Sequence, residues 1–192
     1  MKNIILISLW FTMLMLSLSC QRLNDSRLSH PVQRDSSLIF DLDSMLLIED
    51  FEKGYVTMAD MPPFNSYSIV GSMAYAKDYN IDIFMIPEND SAYIVMSEMF
   101  NKDKEGNMLW RLVDSVKIYY PIGSSIGWPG SVVRGGVIDY NLMALMPDDK
   151  DWIDTEVYDA LLGVWSLDAQ EKTITPLPVE NISCINESYG VY

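Results

Sequence analysis

The clearest hydrophobic pattern in the chain is alternation. Trp110, Leu112, Val116, Ile118 and Tyr120 fall on one side of an extended segment and Arg111, Ser115 and Lys117 on the other, which predicts a long strand with one wet face. Asp114 interrupts the apolar side and predicts either a bulge or a buried, hydrogen-bonded acid. Upstream, the apolar run 81–86, the polar loop 87–91 and the β-branched and aromatic run 92–100 make a hairpin, and a polar turn over 101–107 joins it to the long strand. A further strand is expected over 67–76, with Gly71 as a bulge, after a turn at Pro62-Pro63.

Beyond the long strand, residues 122–131 read as a loop from their glycines and Pro129. Strand character resumes over 132–146, bends at Gly135-Gly136 and stops at Pro147. Asp151 is placed to cap a short helix, and residues 157–167 are ambiguous between helix and strand, with strand favoured late in the stretch. A second hairpin follows in 164–167, a turn over 168–172, and 173–175, closed by Pro176 and Pro178, with 182–185 as an added edge. These elements predict a mainly β or α+β fold, an antiparallel sheet of hairpins or a meander, in a single domain spanning 38–192. No repeat of 20 to 50 residues is visible, which argues against propellers and solenoids.

The first residues have a different character. Lys2 gives a positive start, residues 4–18 are mostly apolar, and Ser17-Leu18-Ser19 precedes Cys20. An apolar run of this length, broken by Ser8, Thr12 and Ser17, falls short of the roughly 20 residues that a membrane-crossing helix needs, and it reads as an export leader over 1–19. With Leu16 and Leu18 beside a small residue and a cysteine, the segment resembles a bacterial lipoprotein signal, in the looser form found in Bacteroides-like bacteria. Ser17 stands where such signals usually carry an aliphatic residue. The resemblance implies acylation of Cys20 and a membrane-anchored lipoprotein of the cell envelope. Residues 20–37 are polar, mixed in charge and without periodicity, the composition of a flexible tether that would hold the domain roughly 20 Å from its anchor.

Cysteine usage fits that reading, because Cys20 and Cys184 are the chain's two cysteines and an acylated Cys20 leaves Cys184 unpaired. A Cys20–Cys184 disulfide is the competing arrangement. The chain carries 13 basic and 27 acidic residues, a net charge of −14; without residues 1–20 the balance is 12 against 27. A surface this acidic repels nucleic acid and anionic headgroups. It serves solubility, and a partner drawn by long-range attraction would be cationic.

Candidate chemistry is sparse. The sole histidine, His30, lies in the tether, so serine or cysteine catalysis with a histidine base, and a histidine zinc site, have no support. Asp148, Asp149, Asp151, Asp154 and Glu156 crowd carboxylates as a calcium ion requires, although the spacing is not that of an EF-hand; a solvated acidic loop is the simpler reading, and no cofactor is expected. Residues 101–106 imitate the start of a calcium loop and are better read as a hairpin turn. Trp128, in a glycine-rich loop, is a candidate platform for a sugar or peptide, against the plainer alternative that it packs on its own domain. Asp90-Ser91-Ala92 resembles the O-glycosylation acceptors of Bacteroides-like envelope proteins, with Ser91 in an accessible turn. The sequence therefore predicts a non-catalytic ligand- or protein-binding module, taking a carbohydrate or a cationic protein. The rival readings are a carboxylate-dependent, glycosidase-like hydrolase and an acidic inhibitor of a cationic envelope protein.

Overall fold

The computed structural model describes residues 54–147, 154–187 and 189. The four segments with the strongest β patterning become strands β1 (Ser68–Ala76), β2 (Tyr79–Met85), β3 (Ser91–Lys102) and β4 (Met108–Tyr119). They form one antiparallel sheet in chain order β1-β2-β3-β4. The turn from β3 to β4 is fixed by Asp103, whose carboxylate accepts the backbone N–H of Asn107 at 2.7 Å and its side-chain amide at 2.8 Å. Gly106, at φ +90°, supplies the left-handed residue that the turn needs.

A second sheet is built from β5 (Ser125–Gly127), β8 (Leu142–Met146), β10 (Gly163–Asp168) and β11 (Thr173–Leu177), ordered β11-β10-β8-β5. A third holds β6 (Val132–Arg134), β7 (Val137–Ile138), β9 (Val157–Tyr158) and β12 (Ile182–Ile185), ordered β7-β6-β12-β9. The expected strand over 132–146 is thus three strands in two sheets. Gly135 and Gly136, both at positive φ, turn β6 into β7. The loop expected over 122–131 contains β5, and 182–185 lies inside its sheet, between β6 and β9, where an edge was expected. Strand β11 runs on through Pro176, which is tolerated because β11 is at the edge of its sheet. The ambiguous region 157–167 resolves into β9 and most of β10; two three-residue 310 turns are the only helical elements among the described residues.

Burial follows the pleat. From β8, Met143 and Leu145 join Trp165 and Leu167 of β10 against Ile81, Ile83, Ile94, Met96, Val116 and Ile118 of the first sheet. Leu142, Ala144 and Met146 face the other way, onto Val132, Ile182 and Cys184 of the third. Strand β8 is consequently buried on both faces, which accounts for its unbroken apolar sequence.

Strand β4 departs from simple alternation. Met96 pairs with Asp114 but Ser97 pairs with Leu112, so Val113 is an extra residue and the strand reverses its faces there. Val116 and Ile118 face the second sheet, whereas Leu112 and Trp110 belong to a separate apolar cluster on the opposite face. That face is not simply wet. Residues 54–67, with 310 turns at Met58–Asp60 and Phe64–Ser66, lay Tyr55, Met58, Met61 and Phe64 over Phe84, Tyr93 and Val95. Phe64 stacks on Phe84 with centroids 4.9 Å apart, and the backbones of Tyr55 and Trp110 exchange two hydrogen bonds of 2.8 Å.

Polar contacts lock the first two sheets in register. The Asp114 carboxylate accepts the N–H of Ile174 on β11 at 2.7 Å and that of Ser115 at 2.9 Å, so the expected bulge is present and the acid there is hydrogen-bonded, but half-buried where a buried one was expected. The Tyr75 hydroxyl donates to the Leu167 carbonyl at 2.6 Å. Glu98 on β3 is clasped by the guanidinium of Arg111 and, from the β10–β11 turn, by Lys172 Nζ at 2.6 Å, with the Tyr79 hydroxyl donating at 3.3 Å. Burial pushes the Glu98 carboxyl up, but the bonds from Lys172 and Arg111 outweigh it and hold the group below its ordinary range.

Candidate functional site

The segment that covers the outer face of the first sheet leaves part of that face open. Between the 310 turn at Met58–Asp60 and strand β1 lies a cleft of about 300 Å³, at the small end for organic-ligand sites. Val56, Thr57, Met58 and Ala59 form one wall, Ile69 and Ser72 the other, and Asn80, Asp82, Ser97 and Trp110 the floor. The first wall is stiffened by Asp60, whose Oδ2 accepts the Thr57 hydroxyl at 3.1 Å and the Thr57 N–H at 3.3 Å, the reciprocal contact of a capping box.

Strand register assembles the floor. Asn80 is paired with Ser97 and Asp82 with Ser72, and cross-strand partners project to the same face, so four polar residues from three strands meet on one patch. Asn80 Nδ2 donates to Asp82 Oδ1 at 2.9 Å and to Ser72 Oγ at 3.0 Å, which uses both amide hydrogens. Asp82 is only 5 % exposed. Burial pushes its carboxyl above the ordinary range, against the smaller opposing effect of hydrogen bonds from Ser72 and Asn80. Ser97 is 1 % exposed, and its hydroxyl has no hydrogen-bond partner among the described residues. An unpaired buried hydroxyl costs about 1–3 kcal/mol, and here it borders an opening.

The raised pKa of Asp82 fixes the sign of a pH effect. The folded state binds a proton more readily than the unfolded chain, so stability falls as pH rises from the unfolded carboxyl range through the folded pKa, and the penalty is complete above it. Asp82→Asn keeps an oxygen to accept from Asn80 and removes the charge. Its thermal midpoint should exceed that of the parent at pH 7, with the gap shrinking toward pH 4; equal midpoints at both pH values would contradict the assignment.

The residues singled out from sequence lie elsewhere. Trp128 is half-buried and packs against the main core cluster, its six-membered ring so close to β1 that a Cβ on Gly71 would sit 2.6 Å from Cζ2. It does not line the cleft. Ser91 is half-buried at the start of β3 and donates to Asn89 Oδ1 at 2.9 Å. Asp154 and Glu156 are exposed, while Cys20, Asp148, Asp149 and Asp151 lie outside the described residues. Among the described residues no three acid, histidine or cysteine side chains gather closely enough to hold a metal ion, and no helix is long and apolar enough to cross a membrane. Cys184 is buried and, among the described residues, unpaired, 3.6 Å from Ser131 Oγ, with burial pushing its thiol up.

The floor residues were missed because each looked like a minor exception in an apolar run. Asp82 is the single acid in 81–86 and Ser97 the first hydroxyl after 92–96. A buried polar residue inside a strand pattern is the signal that could have found them. Comparison with protein-family models, with curated proteins and with solved structures gives no match, so the functional reading rests on this geometry.

Proposed function

We propose that the chain is an exported envelope protein, held at a membrane by acylated Cys20, whose β-rich body is a non-catalytic binding module with the cleft on the first sheet as its ligand seat. The observation that carries the binding role is the buried, partnerless Ser97 hydroxyl on the floor of a cleft that also presents Asp82, Ser72 and Trp110. Few, convergent polar groups in an otherwise apolar concavity are what a small-molecule site requires. Among the described residues Asp82 is the one carboxylate lining the cleft; glycoside hydrolysis ordinarily needs two flanking the bond, which favours binding over the hydrolase reading. The anchoring role rests on the leader and on Cys20 alone.

Ser72 sits exposed on the rim, where a bulky side chain would close the entrance without entering the core. In a ligand-observed NMR screen of small polar molecules, the parent should yield binders whose affinity falls at least tenfold in Ser72→Phe, a loss of about 1.4 kcal/mol. Binders indifferent to that substitution would place the ligand elsewhere, and a screen without binders would remove the cleft as a site.

A further inference from the structure

We infer that the cleft is shaped for a neutral sugar unit, with one of its hydroxyls seated between Ser97 and Asp82. The inference rests on the binding reading above and specifies the chemistry of the ligand. The floor offers mainly acceptors. The amide hydrogens of Asn80 are spent on Ser72 and Asp82, and the Thr57 hydroxyl donates to Asp60. The other polar groups of the lining are carboxyl and hydroxyl oxygen, the Trp110 indole N–H, which donates, and the Ser97 hydroxyl, which can donate or accept. A sugar hydroxyl, both donor and acceptor, can satisfy Ser97 and Asp82 together.

Charge narrows the class further. Among the described residues no lysine, arginine or histidine lines the cleft, so against this lining a phosphate or carboxylate ligand would meet a buried acid with nothing to neutralise it. A cation would need Asp82 fully ionised at a site where burial disfavours the charge, and the described lining residues provide no second carboxylate. The walls are apolar: Val56, Met58 and Ala59 on one side, Ile69, 54 % exposed, on the other, with the indole of Trp110 on the floor. Sugars present C–H faces between their hydroxyls, and aromatic and aliphatic surface next to a few fixed polar groups complements that alternation. The volume suits one or two rings, not an extended chain.

The test is titration of the isotopically labelled protein with three panels at millimolar concentration: neutral mono- and disaccharides, primary amines, and small carboxylates and phosphates. A neutral saccharide should give saturable shifts at Asn80, Ser97 and the Trp110 indole. Ser97→Ala should weaken that binding about tenfold, and Ile122→Ser, remote and 86 % exposed, should leave it unchanged. If amines or anions shift those residues and no saccharide does, the ligand class is wrong while the cleft remains a binding site. If saccharide binding persists at full strength in Ser97→Ala, with that variant's backbone spectrum intact, the assigned contact is wrong. If none of the three panels moves the floor resonances, the sugar assignment fails, and an empty fragment screen would then withdraw the site as well.

Discussion

Trp165→Ala should lower the unfolding free energy by about 3–5 kcal/mol, the usual range for removing a buried aromatic side chain from a packed core. Trp165 is 1 % exposed at the centre of the cluster joining the first two sheets. Its ring lies directly over Gly163, where a Cβ would stand 2.6 Å from Cη2. The missing side chain at 163 is therefore part of the indole's seat, and nothing on that side can relax into the void that alanine would leave. The indole nitrogen has no hydrogen-bond partner among the described residues, so against them the ring contributes through packing alone and carries an unmet polar cost. Trp165→Phe should accordingly lose much less, on the order of 1–2 kcal/mol, because it gives up volume but also removes the orphaned N–H. Urea denaturation of the two variants checks both values; a phenylalanine variant as unstable as the alanine one would mean that the nitrogen is satisfied in solution.

Asp114→Ala should cost about 2–3 kcal/mol, as expected when a charged acceptor is withdrawn from buried donors. Its two oxygens accept the N–H groups of Ser115 and Ile174, and the second of these belongs to β11 in the neighbouring sheet. Without the carboxylate, the Ile174 N–H faces a half-buried seam with no replacement, and the register between β4 and β11 loses a fixed point. Asp114→Asn retains one carbonyl oxygen and presents an NH2 group to the other donor, so it should fall between parent and alanine variant. Thermal unfolding gives the order, and hydrogen exchange at the Ile174 amide gives the cause: its protection should collapse in Asp114→Ala before that of Ile94 changes.

The meander was legible because its information is local. Residues 81–100 alternate or run apolar between obvious turn residues, and β2 and β3 appear where that pattern puts them. Asp114 announced the bulge by breaking an apolar face. What the pattern did not carry was the reversal that a single inserted residue causes: Trp110 and Leu112 look continuous with Val116 and Ile118, yet they serve different clusters. The division of 132–146 between two sheets depends on pairings of β6 with β12 and β8 with β10, and long-range pairing leaves no trace in local periodicity. The cleft is hidden for the same reason. Thr57, Ser72, Asn80, Asp82 and Ser97 are unremarkable one by one, and only cross-strand register and the partial cover by residues 54–67 bring them together. Trp128 drew notice by its glycine-rich setting, but a large ring beside a glycine can equally mark a place where the backbone of another strand comes close, and here it does.

The order of pairing also bears on how a nascent chain matures. Strands β1 to β4 each join a sequence neighbour, so hairpins can zip up successively as synthesis proceeds and little loop-closure entropy stands in the way. The third sheet closes later: β6 and β7 form a local hairpin, but β6 also waits for β12, which follows it by nearly fifty residues, and among the described strands β9 pairs with β12 alone. Until that strand emerges, Val132, Leu142, Ala144 and Val164 lack the cover of Ile182 and Cys184, and the half-made molecule offers an adhesive apolar flank to its surroundings. A ribosome stalled before residue 182 would therefore display a finished meander and an unfinished back, the state in which a chaperone has most to shield.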